Sequence, residues 1–260
     1  LAGSRELAEL SKVDAQVQVR RALESYRSDP ALAQVLTEPF IRRMEIFAAA
    51  LAVWGAKTNL TARPQDPAEI AFHMVDSLTP LALGYGLRLS PLPDPGKGEG
   101  EGSETFHALS IAFAAGNRIL DFGSGAGFPG LVLASACAAL FTLVEARRKR
   151  ASFLTVVSAE MGLDNVEILA TRLAATIAPS FNAVVSRASG PASEFYDIAA
   201  HALLPRGLAI LYSSPSQRLD LAAAKMAGLS TYHRYRYSLR RGGAIADRAL
   251  SIWNKPKKYP

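Results

Sequence analysis

Within residues 38–57 the apolar side chains return every third or fourth position, with Phe40, Met44, Phe47, Leu51 and Trp54 on one face of a helix. The same spacing joins Leu7, Leu10, Val13 and Val17 and predicts an earlier amphipathic helix over residues 6–25. Asp66-Pro67-Ala68-Glu69 has the form of a helix start: aspartate caps, proline suits the first turn, and glutamate reaches back as in a capping box. That helix should run to about residue 83. Residues 89–105 follow as a proline-then-glycine run that cannot supply a core, and we read them as a flexible linker or insertion. From residue 117 the period changes. Apolar runs at 117–121, 141–145 and 166–170 predict strands, separated by helical stretches to residue 139 and over 149–161; strands at 183–186 and 208–213 and a terminal hairpin follow. This order predicts an α/β chain with a mostly parallel doubly wound sheet. Its parts are an N-terminal helical region (1–88), the linker or insertion (89–105) and a core (106–260) ending in an antiparallel hairpin, with ligands at the strand C-termini.

The first strand of the core ends in Asp121-Phe122-Gly123-Ser124-Gly125-Ala126-Gly127-Phe128-Pro129-Gly130. An acid closes the strand, glycines let the backbone bend and approach a ligand, and the next helix presents free N–H groups. A second strand ends in Glu145, 24 residues after Asp121, where a carboxylate suits the vicinal hydroxyls of a ribose. Spacing alone does not separate NAD from S-adenosyl-L-methionine. Four glycines with Pro129, and no strong anchor for a pyrophosphate, favour the latter. Asp121, Gly123, Gly125, Gly127 and Glu145 are therefore the expected cofactor residues.

Composition narrows the class further. Of 260 residues 29 are Lys or Arg and 23 Asp or Glu, a net charge of +6. The surplus is clustered. Arg147-Arg148-Lys149-Arg150 opens the helix after the second strand, near the expected cofactor mouth, where it can draw in a polyanion. The last 30 residues hold Arg234, Arg236, Arg240, Arg241 and Arg248 among tyrosines; strand alternation puts Tyr235, Tyr237 and Leu239 on one face and Arg234 and Arg236 on the other, toward solvent or phosphate. A single cysteine, Cys137, excludes an internal disulfide framework and a cysteine metal cluster and fits a reducing cytoplasm. No apolar run is long enough to span a membrane. His73 and Asp76 share a helix face, as an internal brace or a substrate-facing pair; with no third ligand nearby, no metal is expected.

From about Phe40 to Trp253 the chain resembles the bacterial small-subunit ribosomal RNA guanine-N7 methyltransferases, the glucose-inhibited division protein B (GidB, RsmG) family. The resemblance rests on Trp54 with Asn59-Leu60-Thr61, His73 with Asp76-Ser77-Leu78, the glycine turn, Lys149-Arg150 with Phe153-Leu154, and Val185-Ser186-Arg187-Ala188. It implies a Rossmann-like class I methyltransferase core, S-adenosyl-L-methionine as cofactor, and 16S ribosomal RNA or the small ribosomal subunit as partner, methylated at N7 of a guanine in the position 527 loop. It also carries Gly123, Phe128, Leu173, Ala174 and Arg187 onto cofactor positions and gives Glu145 the ribose. This chain departs from the family at Trp54-Gly55-Ala56, at Arg172-Leu173-Ala174, and at Ser213-Ser214, where relatives commonly place lysine and glycine.

Guanine N7 carries an in-plane lone pair and no proton, so no general base and no catalytic side chain is required. Catalysis then rests on positioning. Arg147, Arg148, Lys149, Arg150, Arg187, Arg234 and Arg236 are the expected RNA contacts. A methyltransferase with a different RNA or a small-molecule acceptor, a non-catalytic RNA-binding or ribosome-assembly protein, and more distantly an NAD-dependent oxidoreductase remain as alternatives.

Overall fold

The computed structural model describes residues 2–58, 60–88, 90–91, 102–173, 177–187 and 190–257. Four helices come first: α1 (Ala2–Glu24), α2 (Pro30–Val35), α3 (Glu38–Thr58) and α4 (Pro67–Ala82). The buried face of α1 differs from the expected one. Val13 and Val17 are exposed, while Val19 and Leu23 are buried, because the helix lies along α3 and α4 by its C-terminal half. The side chains of Leu7 and Leu10 lie outside the described residues. Helix α3 follows its predicted stripe, burying Phe40, Met44, Phe47 and Leu51. Asp66 caps α4 by accepting from the N–H groups of Ala68 and Glu69. Glu69 does not reach back as a capping box requires; its carboxylate turns instead to Arg241 and His73.

Strand β1 (Ser90–Pro91) and helix α5 (Gly102–Ala112) bracket the proline-glycine run, whose residues 92–101 lie outside the described ones. Both ends of the run are therefore more ordered than expected. Ser90 and Pro91 pair with a hairpin strand, and α5 buries Leu109 and Ala112, followed by Phe113, an apolar stripe that the glycines before it obscure in the sequence.

The core alternates β2 (Arg118–Phe122), α6 (Gly130–Ala136), β3 (Leu140–Val144), α7 (Arg148–Glu160), β4 (Val166–Leu169), β5 (Phe181–Arg187), α8 (Ala192–Ala202), β6 (Leu203–Ser213) and α9 (Leu221–Met226), then the hairpin β7 (Ser230–Arg241) and β8 (Ala244–Asn254). Helix α6 is shorter than predicted, since Cys137 is already extended. The eight strands stand in the order β1-β7-β8-β6-β5-β2-β3-β4. Pairing is parallel from β6 to β4 and antiparallel from β6 through β8 and β7 to β1.

Alternation along each strand sends neighbouring residues into different cores. Ile119, Leu143, Val185 and Ile210 face a layer formed by α1 to α7, while Leu120, Val144, Val184 and Leu211 face α8 and α9. The N-terminal helices thus share one hydrophobic core with the sheet. Strand order reverses at β2, whose neighbours are β3 on one side and β5 on the other. A sheet wound this way opens a crevice beyond its carboxyl edge at that point.

Candidate active site

At the carboxyl end of β2 the chain turns through Gly123, Gly125 and Gly127, with φ of 76°, 57° and 97°. Such angles strain any residue with a Cβ. The turn is tied to the neighbouring strand, since the N–H groups of Gly123 and Ser124 both donate to the Val144 carbonyl, at 3.1 and 3.0 Å. Gly127 has a packing reason as well: a Cβ there would stand 2.6 Å from Leu131 Cδ1. Gly125 is different, because a Cβ on it would meet nothing closer than 3.8 Å. Its free side is a cleft.

That cleft, of about 450 Å³, is lined by Gly123, Gly125, Phe128, Glu145, Leu173 and Arg187 of the expected cofactor residues. Arg147 and Arg150 line it too, while Arg148 and Lys149, in the same first turn of α7, are exposed. Ala174 lies outside the described residues. Asp121 and Gly127 sit beneath the turn and do not line the cleft. The Asp121 carboxylate is fully buried, where Oδ2 accepts from the Gly130 N–H at 3.0 Å and Oδ1 has no hydrogen-bond partner. Burial pushes its pKa up to about 7.

Glu145 follows β3 and is held by backbone donors: Oε2 accepts from Gly125 N–H at 3.0 Å and Oε1 from Arg147 N–H at 2.7 Å. A carboxylate offers about four acceptor positions. Both oxygens therefore keep lone pairs for a ligand.

Opposite the turn stands a polar chain that crosses four elements. Arg187, at the end of β5, lies over the Phe128 ring at 4.8 Å and brings Nη1 to 3.2 Å from His73 Nδ1 and 3.5 Å from Asp76 Oδ2. It pairs with neither Asp121 nor Glu145. A guanidinium only donates, so His73 Nδ1 accepts and the ring proton sits on Nε2, 3.2 Å from Glu69 Oε1. Burial first, and the Arg187 charge second, pull the His73 pKa down to about 4. Asp76, fully buried, takes Arg248 through Nε and Nη2, both at 3.0 Å, and the Tyr237 hydroxyl at 2.7 Å. Burial alone would raise its pKa, but Arg248 and Arg187 outweigh it and hold the group below the usual carboxylate range. The helix pair His73 and Asp76 is thus a brace, and His73 also faces the cleft.

Among the lining positions not expected as site residues, Thr61 presents a buried hydroxyl with no partner, Arg172 adds charge, and Glu194 of α8 adds an acid. Thr61 carried a signal within Asn59-Leu60-Thr61, Arg172 as a departure from the family, and Glu194 none. The hairpin arginines stand elsewhere. Arg234 donates to the Ser214 and Gln217 carbonyls and Arg236 pairs with Asp247, while Tyr235, Tyr237 and Leu239 are buried as alternation predicts.

Residues 105–236 match the family model described as GidB, rRNA small subunit methyltransferase G. The chain belongs to this family. Curated members named ribosomal RNA small subunit methyltransferase G include that of Chromobacterium violaceum, 30% identical over 68% of this chain and 71% of its own. Those of Cupriavidus necator and Polaromonas naphthalenivorans are also 30% identical, over 80% and 87% of this chain and 84% and 91% of theirs. Among solved structures, an O-methyltransferase from Thermotoga maritima aligns over 66% of this chain and 69% of its own at 15% identity and a TM-score of 0.46, too loosely to bear on the reaction. The residues that make the cleft fall inside the matched span apart from Leu60, Thr61, Ala62 and His73, which the N-terminal region brings to it.

Proposed function

We propose that this GidB-family methyltransferase transfers a methyl group from S-adenosyl-L-methionine to N7 of a guanine in 16S ribosomal RNA, at the position 527 loop. The observation that carries the reading is the cleft at the β2 switch point, walled by an open glycine turn and by a carboxylate that backbone donors hold in place. The donor set fits the cofactor. Glu145 supplies acceptors suited to a vicinal diol, Leu173 and Val144 supply apolar wall for a base, and Arg187 supplies a cation for a carboxylate. When bound, S-adenosyl-L-methionine supplies an electrophilic methyl on a sulfonium.

The side chains then need only position the partners. Aligned reactants held at near-attack distance gain roughly 7–11 kcal/mol over free encounter. His73 stays neutral at pH 7, so it contributes a fixed hydrogen bond to Arg187 and no proton transfer. Arg147, Arg148, Lys149 and Arg150 give the cleft a cationic rim for the phosphate backbone. Arg236 is exposed and Arg234 half-buried on the outer face of the hairpin, as a second backbone contact. RNA base chemistry requires the base to leave its stack, which suits a cleft open on one side.

The test pairs calorimetric binding of S-adenosylhomocysteine with methyl transfer to small subunits lacking the modification. Binding by the wild type, its loss in Gly125→Arg, and label recovered at a guanine N7 support the reading. A folded wild type that binds no S-adenosylhomocysteine, or that labels only a free metabolite, overturns it.

A further inference from the structure

Beyond Arg187 the carboxyl edge of the sheet holds a second, smaller cavity of about 120 Å³, between the ends of β5 and β6 and the start of α8. Arg187 is common to both spaces and forms the wall between them. The cavity is lined further by Gly190, Ala192, Tyr212, Ser213 and Arg248.

Its lining side chains that carry charge are both arginines, with the Glu194 carboxylate behind Gly190. Arg187 and Arg248 both bear on it, and among the described residues the one carboxylate they touch is Asp76. Two guanidinium charges against one carboxylate leave one positive charge uncompensated in a buried place, which is costly until an anion arrives. The Tyr212 hydroxyl is already spent, donating to the Ser77 carbonyl at 2.8 Å. Ser213 is not: it is only 4% exposed, and its buried hydroxyl has no hydrogen-bond partner. Buried hydroxyls in native proteins are nearly always paired, so an orphan in a cavity wall marks a missing acceptor. Helix α8, eleven residues long, starts at the same cavity without a side-chain cap; its first turn also carries Glu194, whose carboxylate stands beside Gly190, so the helix end offers N–H groups next to an acid. Room for something on the order of ten water-sized groups admits a phosphate.

We infer that this cavity is a subsite for a backbone phosphate of the RNA substrate, held by Ser213, Arg248 and the start of α8, one wall away from the methyl-donor cleft. The inference rests on the proposed RNA methyltransferase activity and adds to it. A phosphate fixed here sets the register of the strand, so that the base next to it is delivered to the cleft through Arg187. Phosphate contacts position and base contacts specify, and a reaction without a general base depends on the first of these. The cofactor's own carboxylate is the competing source of negative charge at Arg187, and the experiment separates the two.

Binding of unmodified 16S ribosomal RNA in small subunits, with S-adenosylhomocysteine present, is measured across a salt series for the wild type, Ser213→Ala and Ser213→Asp; S-adenosylhomocysteine affinity is measured separately by calorimetry. We expect Ser213→Ala to bind RNA about tenfold more weakly, the worth of one hydrogen bond to a charged group. Ser213→Asp should lose more and flatten the salt dependence by about one unit of slope. Both should keep wild-type S-adenosylhomocysteine affinity, which also reports that they fold. Unchanged RNA affinity and slope in both variants, beside a wild type that methylates, overturns the subsite alone. Loss of S-adenosylhomocysteine binding together with RNA binding assigns the cavity to the cofactor and overturns it too. A wild type that binds S-adenosylhomocysteine but no small-subunit RNA overturns both the subsite and the proposed acceptor.

Discussion

His73 Nδ1 and Arg187 Nη1 lie 3.2 Å apart, which joins a helix of the N-terminal region to the end of a central strand by a hydrogen bond that stands beside the Arg187–Asp76 ion pair. The bond forms only while the imidazole is neutral. His73 and Asp121, on the two sides of the glycine turn, are both perturbed by burial but in opposite senses, and this fixes how stability depends on pH.

Asp121 has a raised pKa, so its protonated form is favoured by folding. Its contribution is complete below the ordinary carboxylate value near 4, falls as pH rises, and is gone once pH passes about 7. His73 has a lowered pKa, so folding favours the neutral ring; its contribution is complete above about 6.5 and is lost as pH falls toward 4. Urea unfolding over pH 4–8 should therefore show Asp121→Asn gaining stability on the wild type as pH rises, and His73→Gln losing its deficit as pH falls. Difference curves flat across that window would show that neither group titrates as its surroundings dictate.

Removing the carboxylate that two arginines share should be the most damaging polar change in the protein. Asp76→Ala leaves Arg187 and Arg248 buried without it and removes the acceptor of Tyr237. The expected cost is about 3–5 kcal/mol, read from the urea midpoint at pH 7. A loss below about 1 kcal/mol would mean that the two guanidinium groups find water instead.

Glu145→Ala should weaken S-adenosylhomocysteine roughly 10- to 100-fold, since hydrogen bonds to a charged group are worth about 1.5–3 kcal/mol. It also frees the Gly125 and Arg147 N–H groups that hold the turn. Calorimetry gives the value directly. Wild-type affinity in this variant would place the nucleoside elsewhere.

Charge reversal at the rim should act on RNA and spare the cofactor. Arg148→Glu with Lys149→Glu is expected to raise KM for small subunits by at least about tenfold at moderate salt and reduce the salt slope. S-adenosylhomocysteine affinity should shift by less than about threefold, because the side chains of both residues are exposed. An unchanged KM would move the RNA path to another face.

Much of this was written in local pattern. The strand ends at Asp121 and Glu145, the turn glycines and the burial of Tyr235 and Tyr237 follow from periodicity and from where glycine is needed. What the pattern could not hold is who meets whom across the sequence. Val13 and Val17 have helical spacing yet face solvent, because the direction from which α3 and α4 arrive is a tertiary fact. Arg187 was placed at the site by the family resemblance, but its partner is Asp76, on a helix 111 residues earlier, and no local rule pairs them. Glu69 has capping-box spacing, and a distant guanidinium, Arg241, outcompeted the backbone for it. Motifs touch Thr61 and Ser213, but that their hydroxyls are orphaned has no sequence signature, since a serine or threonine shows this only when its surroundings omit a partner.

The brace also sets a schedule. Asp76 leaves the ribosome long before any of its partners, which lie 111, 161 and 172 residues further along. Until the last strand arrives, the carboxylate has Arg187 beside it but lacks Arg248, so the brace on α4 is incomplete. The glycine turn can close earlier from β2 and β3 alone. Synthesis therefore runs through a stage at which the Glu145 side of the cleft is complete and the brace behind Arg187 is not, and the hairpin is the bolt that ends it.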